Sequence, residues 1–180
     1  MNKLEKQIIL RNKEERLILA GHPWVFSNEV KETKGSPQIG DVIELIAASG
    51  KSLGIGFYNP HSLIAFRLLT SHIEEINVEF FEKRISQALE LRKKLYPQRE
   101  TSPSETFRLV YSESDFLPGL IVDKFNEYLS IQTLSYGMDA RLSEICDALE
   151  TLLHPKGIVE RNESPLRELE KLPQKKGILR

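Results

Sequence analysis

Leu19-Ala20-Gly21-His22-Pro23-Trp24-Val25-Phe26-Ser27-Asn28-Glu29 places the sole tryptophan, a histidine and a Gly/Pro bend between a short helical segment and a strand. Outward from it, short apolar runs separated by turn signals continue from Lys6 to Thr70, the pattern of a small β-barrel. Gln7 to Leu10 reads as a strand and Glu14 to Leu19 as one helical segment ended by Gly21. Val25 to Lys31 resumes as strand, Gly35-Ser36-Pro37 turns the chain, and Asp41 to Ile46, Leu53 to Tyr58 and Ile64 to Leu69 complete the set. Gly54 and Gly56 within one strand predict a bend or a close backbone approach.

A different pattern starts at Asn77, an N-cap residue type followed by apolar residues at helical spacing from Val78 to Leu95. A polar connection, Gln98 to Glu105, leads to three expected strands, Phe107 to Tyr111, Leu120 to Phe125 and Tyr128 to Leu134, the last two joined by a turn at Asn126-Glu127. Met138, Leu142, Ile145, Leu149 and Leu152 form the stripe of one helix. Ile158 to Arg161 is a fourth strand, Ser164-Pro165 opens a short charged helix through Leu172, and Gly177 to Arg180 begins a strand without an obvious partner. The fold class is therefore α+β: a small all-β pseudo-barrel with a short helix, then a mainly antiparallel sheet with two longer helices. The expected boundary divides residues 1–73 from 74–180.

Composition narrows the function classes. With 180 residues, 40% hydrophobic and 28% charged, the chain has an ordinary folded composition. The N-terminus lacks the apolar core of a secretory leader, and no apolar run reaches the ~18 residues that span a bilayer, so a cytoplasmic location without membrane partners is expected. A single cysteine and four scattered histidines offer neither a disulfide framework nor metal-ligand spacing. The formal charge of −1 hides a split, with nine basic against seven acidic residues up to position 73 and a basic tail from His154, seven against four.

Both halves resemble one family. Arg16 to Glu29, Gly40-Asp41-Val42-Ile43 and Leu53-Gly54-Ile55-Gly56-Phe57-Tyr58-Asn59-Pro60-His61-Ser62 resemble the N-terminal PUA domain of large-subunit rRNA (cytosine-C5) methyltransferases. Ser112 to Asp123 and Glu160 to Glu170 resemble the central domain of the same enzymes. The resemblance implies binding to large-subunit rRNA, and a Rossmann-like domain carrying S-adenosylmethionine and the catalytic cysteine. That domain is expected in the parent protein and absent from this chain, which contains no strand followed by a glycine-rich turn and an acidic residue at the next strand end. The expectation is a truncated, RNA-positioning part, inactive alone and without its own cofactor. The alternative is a self-contained PUA-type RNA-binding or adaptor protein, and a hydrolase or lyase using carboxylates of the second half ranks last. Homodimerisation is left open.

Cytosine C5 methylation needs a thiolate that adds at C6. Cys146, the sole thiol, falls on the apolar stripe between Leu142 and Leu149 and reads as core, so no catalytic residue is assigned. Asp115 and Asp123 read as turn and strand-end residues, and His22, His61 and Asp115 lack the spacing of a triad. RNA contact is assigned to Arg11, Lys13, Arg16, Lys31 and Arg67 through phosphate neutralisation, and to His22, Tyr58, Asn59 and His61 as an exposed rim beside bends. Trp24 reads as structural, and Lys34 and Lys51 as solvated. Arg161, Asn162 and Arg167 lie at a strand-to-helix junction that the resemblance places beside the catalytic cleft. An ordinary capped helix, with Arg167 paired to nearby glutamates, fits equally.

Overall fold

The computed structural model describes residues 4–96 and 106–180. The expected polar connection from Gln98 to Glu105 lies outside the described residues. The chain divides into two units, one formed by residues up to Glu74 together with Leu169–Lys171, the other by Glu75–Glu168 and Leu172–Arg180.

The first unit contains β1 (Gln7–Leu10), α1 (Glu15–Leu19), β2 (Trp24–Phe26), β3 (Val30–Lys34), β4 (Val42–Ile46), β5 (Ser52–Tyr58) and β6 (Ile64–Thr70). They form a six-stranded curled sheet, a half-barrel in the order β2-β6-β5-β4-β1-β3, with β1 and β4 parallel and the other neighbours antiparallel. Ile8, Leu10, Val25, Ile43, Leu45 and Phe66 form one buried core cluster, which Ile18 of α1 joins. Each fully buried aliphatic or aromatic side chain contributes roughly 1.5–3 kcal/mol. The two strand glycines allow β5 and β6 to lie close at an irregular step in their pairing. A Cβ at Gly54 would stand 2.2 Å from the Thr70 carbonyl oxygen, and one at Gly56 would stand 2.1 Å from that of Arg67.

The expected Val25 to Lys31 strand is two strands separated by a 3₁₀ turn at Ser27–Glu29. Its cause is Glu29, which is buried and turns back so that its carboxylate accepts the Phe26 N–H at 2.6 Å. The turn lets β2 pair with β6 while β3 pairs with β1 at the opposite edge.

The second unit contains α2 (Val78–Leu95), β7 (Thr106–Tyr111), β8 (Leu120–Phe125), β9 (Tyr128–Thr133), α3 (Tyr136–Asp139), α4 (Leu142–Leu153), β10 (Gly157–Asn162), α5 (Leu166–Leu169) and β11 (Lys175–Ile178). The sheet order is β11-β10-β9-β8-β7, with only β9 and β10 parallel. Asn77 caps α2, its Oδ1 accepting the Phe80 N–H at 3.1 Å. Leu120, Val122, Leu129, Ile131 and Ile158 share one face of the sheet and are buried, as are Phe81 and Ile85 of α2 and Ile145 and Leu149 of α4.

Three expectations change in this unit. The single helical stripe from Met138 to Leu152 is broken into α3 and α4 around Arg141, whose φ of −113° and ψ of 19° leave the helical region. The charged helix ends at Leu169 rather than Leu172. Lys171 takes the left-handed conformation at φ 61°, and the Leu172 N–H bonds back to the Arg167 carbonyl at 2.9 Å, closing a Schellman-type cap around buried Leu172. The final strand finds its partner in β10, with Ile178 opposite Val159.

Candidate nucleic-acid interface

In the first unit, the connection from β1 into α1 carries Arg11, Lys13 and Arg16, all exposed. Its backbone is fixed by the Arg11 N–H donating to the Glu29 carbonyl at 2.8 Å and by Lys13 at a φ of 72°. Lys31 is exposed on the edge strand β3, two residues beyond Glu29. None of these four cationic side chains has a hydrogen-bond or ion-pair partner among the described residues. Lys6 and Lys34, by contrast, pair with Asp41 at 2.7 Å and Glu32 at 3.6 Å. Unpaired exposed cations are the groups that a phosphate backbone recruits without first breaking an internal bond.

Strand β2 presents a half-buried aromatic row. His22 meets Trp24 edge-on with centroids 5.5 Å apart, and Trp24 meets Phe26 at 6.3 Å. The Trp24 N–H donates to His22 Nδ1 at 3.3 Å, and the Arg67 guanidinium lies 5.7 Å from the Trp24 ring centre. Tyr58 is half-buried, and burial pushes its phenol up from the ordinary value while a hydrogen bond with Thr33 pulls it back. His61 is exposed, and its backbone N–H donates to Asn59 Oδ1 at 2.9 Å.

Two of the expected RNA contacts, the rim residue Asn59 and the phosphate contact Arg67, are buried instead. Asn59 is 4% exposed and Arg67 9% exposed. Both reach Glu170, with Asn59 Nδ2 2.8 Å from one carboxylate oxygen and Arg67 Nη2 2.5 Å from the other. The acid lies more than a hundred positions along the chain, so a local reading of the bend after Tyr58 misses it.

In the second unit Arg161 is exposed and unpaired among the described residues, whereas Asn162 and Arg167 are fully buried. Asn162 Oδ1 accepts the Thr133 N–H at 2.7 Å and its amide donates to Glu160. Arg167 donates to Asp139 at 2.9 Å, to the Thr133 hydroxyl at 3.0 Å, to the Thr133 carbonyl and, through Nε, to the Pro173 carbonyl at 2.9 Å. The partner of Arg167 is thus an aspartate rather than the expected glutamates, and its place is in the interior rather than along a cleft wall.

The carboxylates and the thiol weighed for chemistry in the sequence, Asp115, Asp123 and Cys146, are engaged within the second unit. Asp115 is buried and bound by both terminal nitrogens of Arg92 and by the Tyr111 N–H, while Asp123 pairs with Arg108 at 2.9 Å. Gly119, at a φ of 86°, presses against Ser135, where a Cβ would stand 2.5 Å from the hydroxyl oxygen. These contacts make the Ser112 to Gly119 stretch a fixed corner. Cys146 is buried on α4, and burial pushes its thiol up to about 11, leaving almost no thiolate near neutrality. Among the described residues no group of three or more His, Cys, Asp or Glu could hold a metal, and no helix is long and apolar enough to cross a membrane.

Sequence reasoning missed a groove of about 260 Å3 beside β7, lined by Leu91, Leu95, Tyr96, Phe107, Arg108 and Tyr111. The available signal was the run of large apolar residues at the end of α2, Leu91, Leu95 and Tyr96, which stay exposed together with Tyr111.

Comparison with known proteins bears on the fold. The PUA-like domain family matches residues 8–71. Ribosomal RNA large subunit methyltransferase I of Tolumonas auensis is 34% identical over 96% of this chain and 43% of its own length. That of Pseudoalteromonas translucida is 39% identical over 88% of this chain and 39% of its own. The chain therefore spans about two fifths of the curated relatives it matches. A proposed SAM-dependent methyltransferase from Streptococcus mutans superposes with a TM-score of 0.78 at 15% identity, over 97% of this chain and 43% of that one, which shows a shared fold. The chain carries a PUA-like domain and is homologous, along nearly all its length, to part of a large-subunit rRNA methyltransferase.

Proposed function

We propose that this chain is the RNA-recognition and substrate-positioning part of a S-adenosylmethionine-dependent methyltransferase that modifies cytosine C5 in large-subunit rRNA. The observation that carries the reading is the group of unpaired cations Arg11, Lys13, Arg16 and Lys31 on a half-barrel that matches the PUA-like family. Homology to rRNA methyltransferases supports the substrate class, and a solved neighbour of the same fold is described as complexed with SAH, which supports the donor.

In this reading the chain's own residues bind and orient. Lys and Arg neutralise phosphates, and the exposed His61 and half-buried Tyr58 and His22 border the same unit as polar or stacking contacts. The thiolate that adds to C6 is assigned to residues outside this chain, because the Cys146 thiol is inaccessible and held protonated.

Binding of the full chain to large-subunit rRNA fragments tests the proposal. Changing Arg11, Arg16 and Lys31 together to Gln should weaken binding at least tenfold at moderate salt. Calorimetric titration with S-adenosylmethionine should release no heat. Unchanged RNA affinity in the triple variant would overturn the recognition surface, and a saturable S-adenosylmethionine titration would overturn the division of labour.

A further inference from the structure

The five-stranded sheet of the second unit has one face buried and one face open. Register defines the open face. Tyr111 lies opposite Ile121, Ile121 opposite Gln132, and Arg161 opposite Lys176. In the next row Arg108, Asp123 and Ser130 are aligned, with Val159 beside Ser130 and Ile178 beside Val159. The third row sets Phe125 opposite Tyr128. Side chains two apart on a strand share a face, so these rows form one surface. Its aromatics stand in solvent, Tyr111 at 51%, Phe125 at 48% and Tyr128 at 55% exposure.

We propose that this open face binds an unpaired stretch of RNA, with Tyr111, Phe125 and Tyr128 as stacking platforms and Arg161 and Lys176 as phosphate contacts. The inference deepens the proposed function and rests on its RNA-binding reading. Charge argues for a polyanion. Three cations stand on the face against two acids, Asp123, which is paired with Arg108, and Glu163 at the margin beside Lys176. Arg161 has no partner among the described residues, and Lys176 has only the exposed Glu163 at 3.7 Å. The Arg108 guanidinium lies 5.1 Å from the Tyr111 ring centre, a pairing that leaves a broad π and cation surface at the sheet edge. Tyr111 and the Phe125/Tyr128 pair sit at opposite ends of the strands. At ~3.3 Å per residue they are separated by about 13 Å, a span over which a sheet can splay and stack two or three bases. A protein-docking face would favour a depleted charge centre, and here the row between the two aromatic ends holds Arg108 and Asp123 beside Ser130, Val159 and Ile178.

The test uses the full chain and two labelled probes, an unstructured oligouridylate and an rRNA hairpin. Tyr128→Ala and Tyr111→Ala should each weaken oligouridylate binding about tenfold or more, Tyr128→Phe should retain it, and Arg161→Gln should weaken it and flatten its salt dependence. All three positions are exposed, and matched circular dichroism and melting curves will verify folding. Wild-type oligouridylate affinity in both Ala variants, with hairpin binding still lost in the Arg11/Arg16/Lys31 triple variant, would overturn this inference while leaving the proposed function standing. Loss of self-association in Tyr128→Ala, without any change in RNA affinity, would overturn it in favour of a second copy of the chain as the occupant.

Discussion

The two units divide their arginines in the same way, and the division separates structure from recognition. In the half-barrel, Arg67 is buried between the Trp24 face and Glu170, while Arg11 and Arg16 are exposed and unpaired. In the second unit, Arg167 is buried against Asp139, Thr133 and Pro173, while Arg161 is exposed and unpaired. A guanidinium offers five donors in a rigid fork, so one arginine can organise several acceptors from distant segments in an interior and another can meet phosphates at a surface. Among these five arginines the buried ones are met by an acid that the fold supplies and the exposed ones are not.

Substitutions can break or sharpen that distinction. The largest effect is expected at Arg167, where Ala leaves Asp139 without its buried partner and exposes the Thr133 carbonyl to an empty space. A loss of about 3–5 kcal/mol should appear in urea melts, with RNA affinity per folded molecule retained. Glu170→Gln should cost slightly less, about 3 kcal/mol, because the Arg67 charge remains buried beside an amide that still accepts one hydrogen bond. Destabilisation of under 1 kcal/mol in both variants would show that the buried arginines are not structural.

A smaller effect follows from Cys146. The folded chain holds the thiol proton up to about pH 11, whereas the unfolded chain releases it near 9.0. Between those values the unfolded state binds fewer protons, so stability is fully present below pH 9 and falls as pH rises toward 11, by roughly 2 kcal/mol. Cys146→Ala should flatten that alkaline slope, and an identical slope in the variant would refute the assignment. The smallest effect is at the α2 cap, where Asn77→Ala should cost about 1 kcal/mol through loss of the bond to Phe80 N–H.

Much of the fold was legible because local signals agreed with the final packing. The Asn77 cap, the Asn126 turn at φ 52° and the alternating strands each act over a few residues. That agreement breaks in places. Glu29 folds back to cut one expected strand in two, and Arg141 leaves the helical region between α3 and α4. The candidate site divides similarly. Arg11, Lys13, Arg16 and Lys31 are exposed as their polar surroundings suggest, but Asn59, Arg67, Asn162 and Arg167 are buried because hydrogen-bond partners far along the chain satisfy them. The aromatic sheet face went unread because exposure of Tyr111, Phe125 and Tyr128 depends on which side of the sheet the helices cover.

The salt dependence of rRNA binding tests the central claim most directly. The logarithm of the association constant against the logarithm of salt concentration should be linear for the wild-type chain. For the Arg11/Arg16/Lys31→Gln variant the slope should be shallower by about 2, as expected when three phosphate contacts are removed. Parallel lines for the two proteins would contradict the account, because the unpaired cations of the half-barrel would then touch no phosphate.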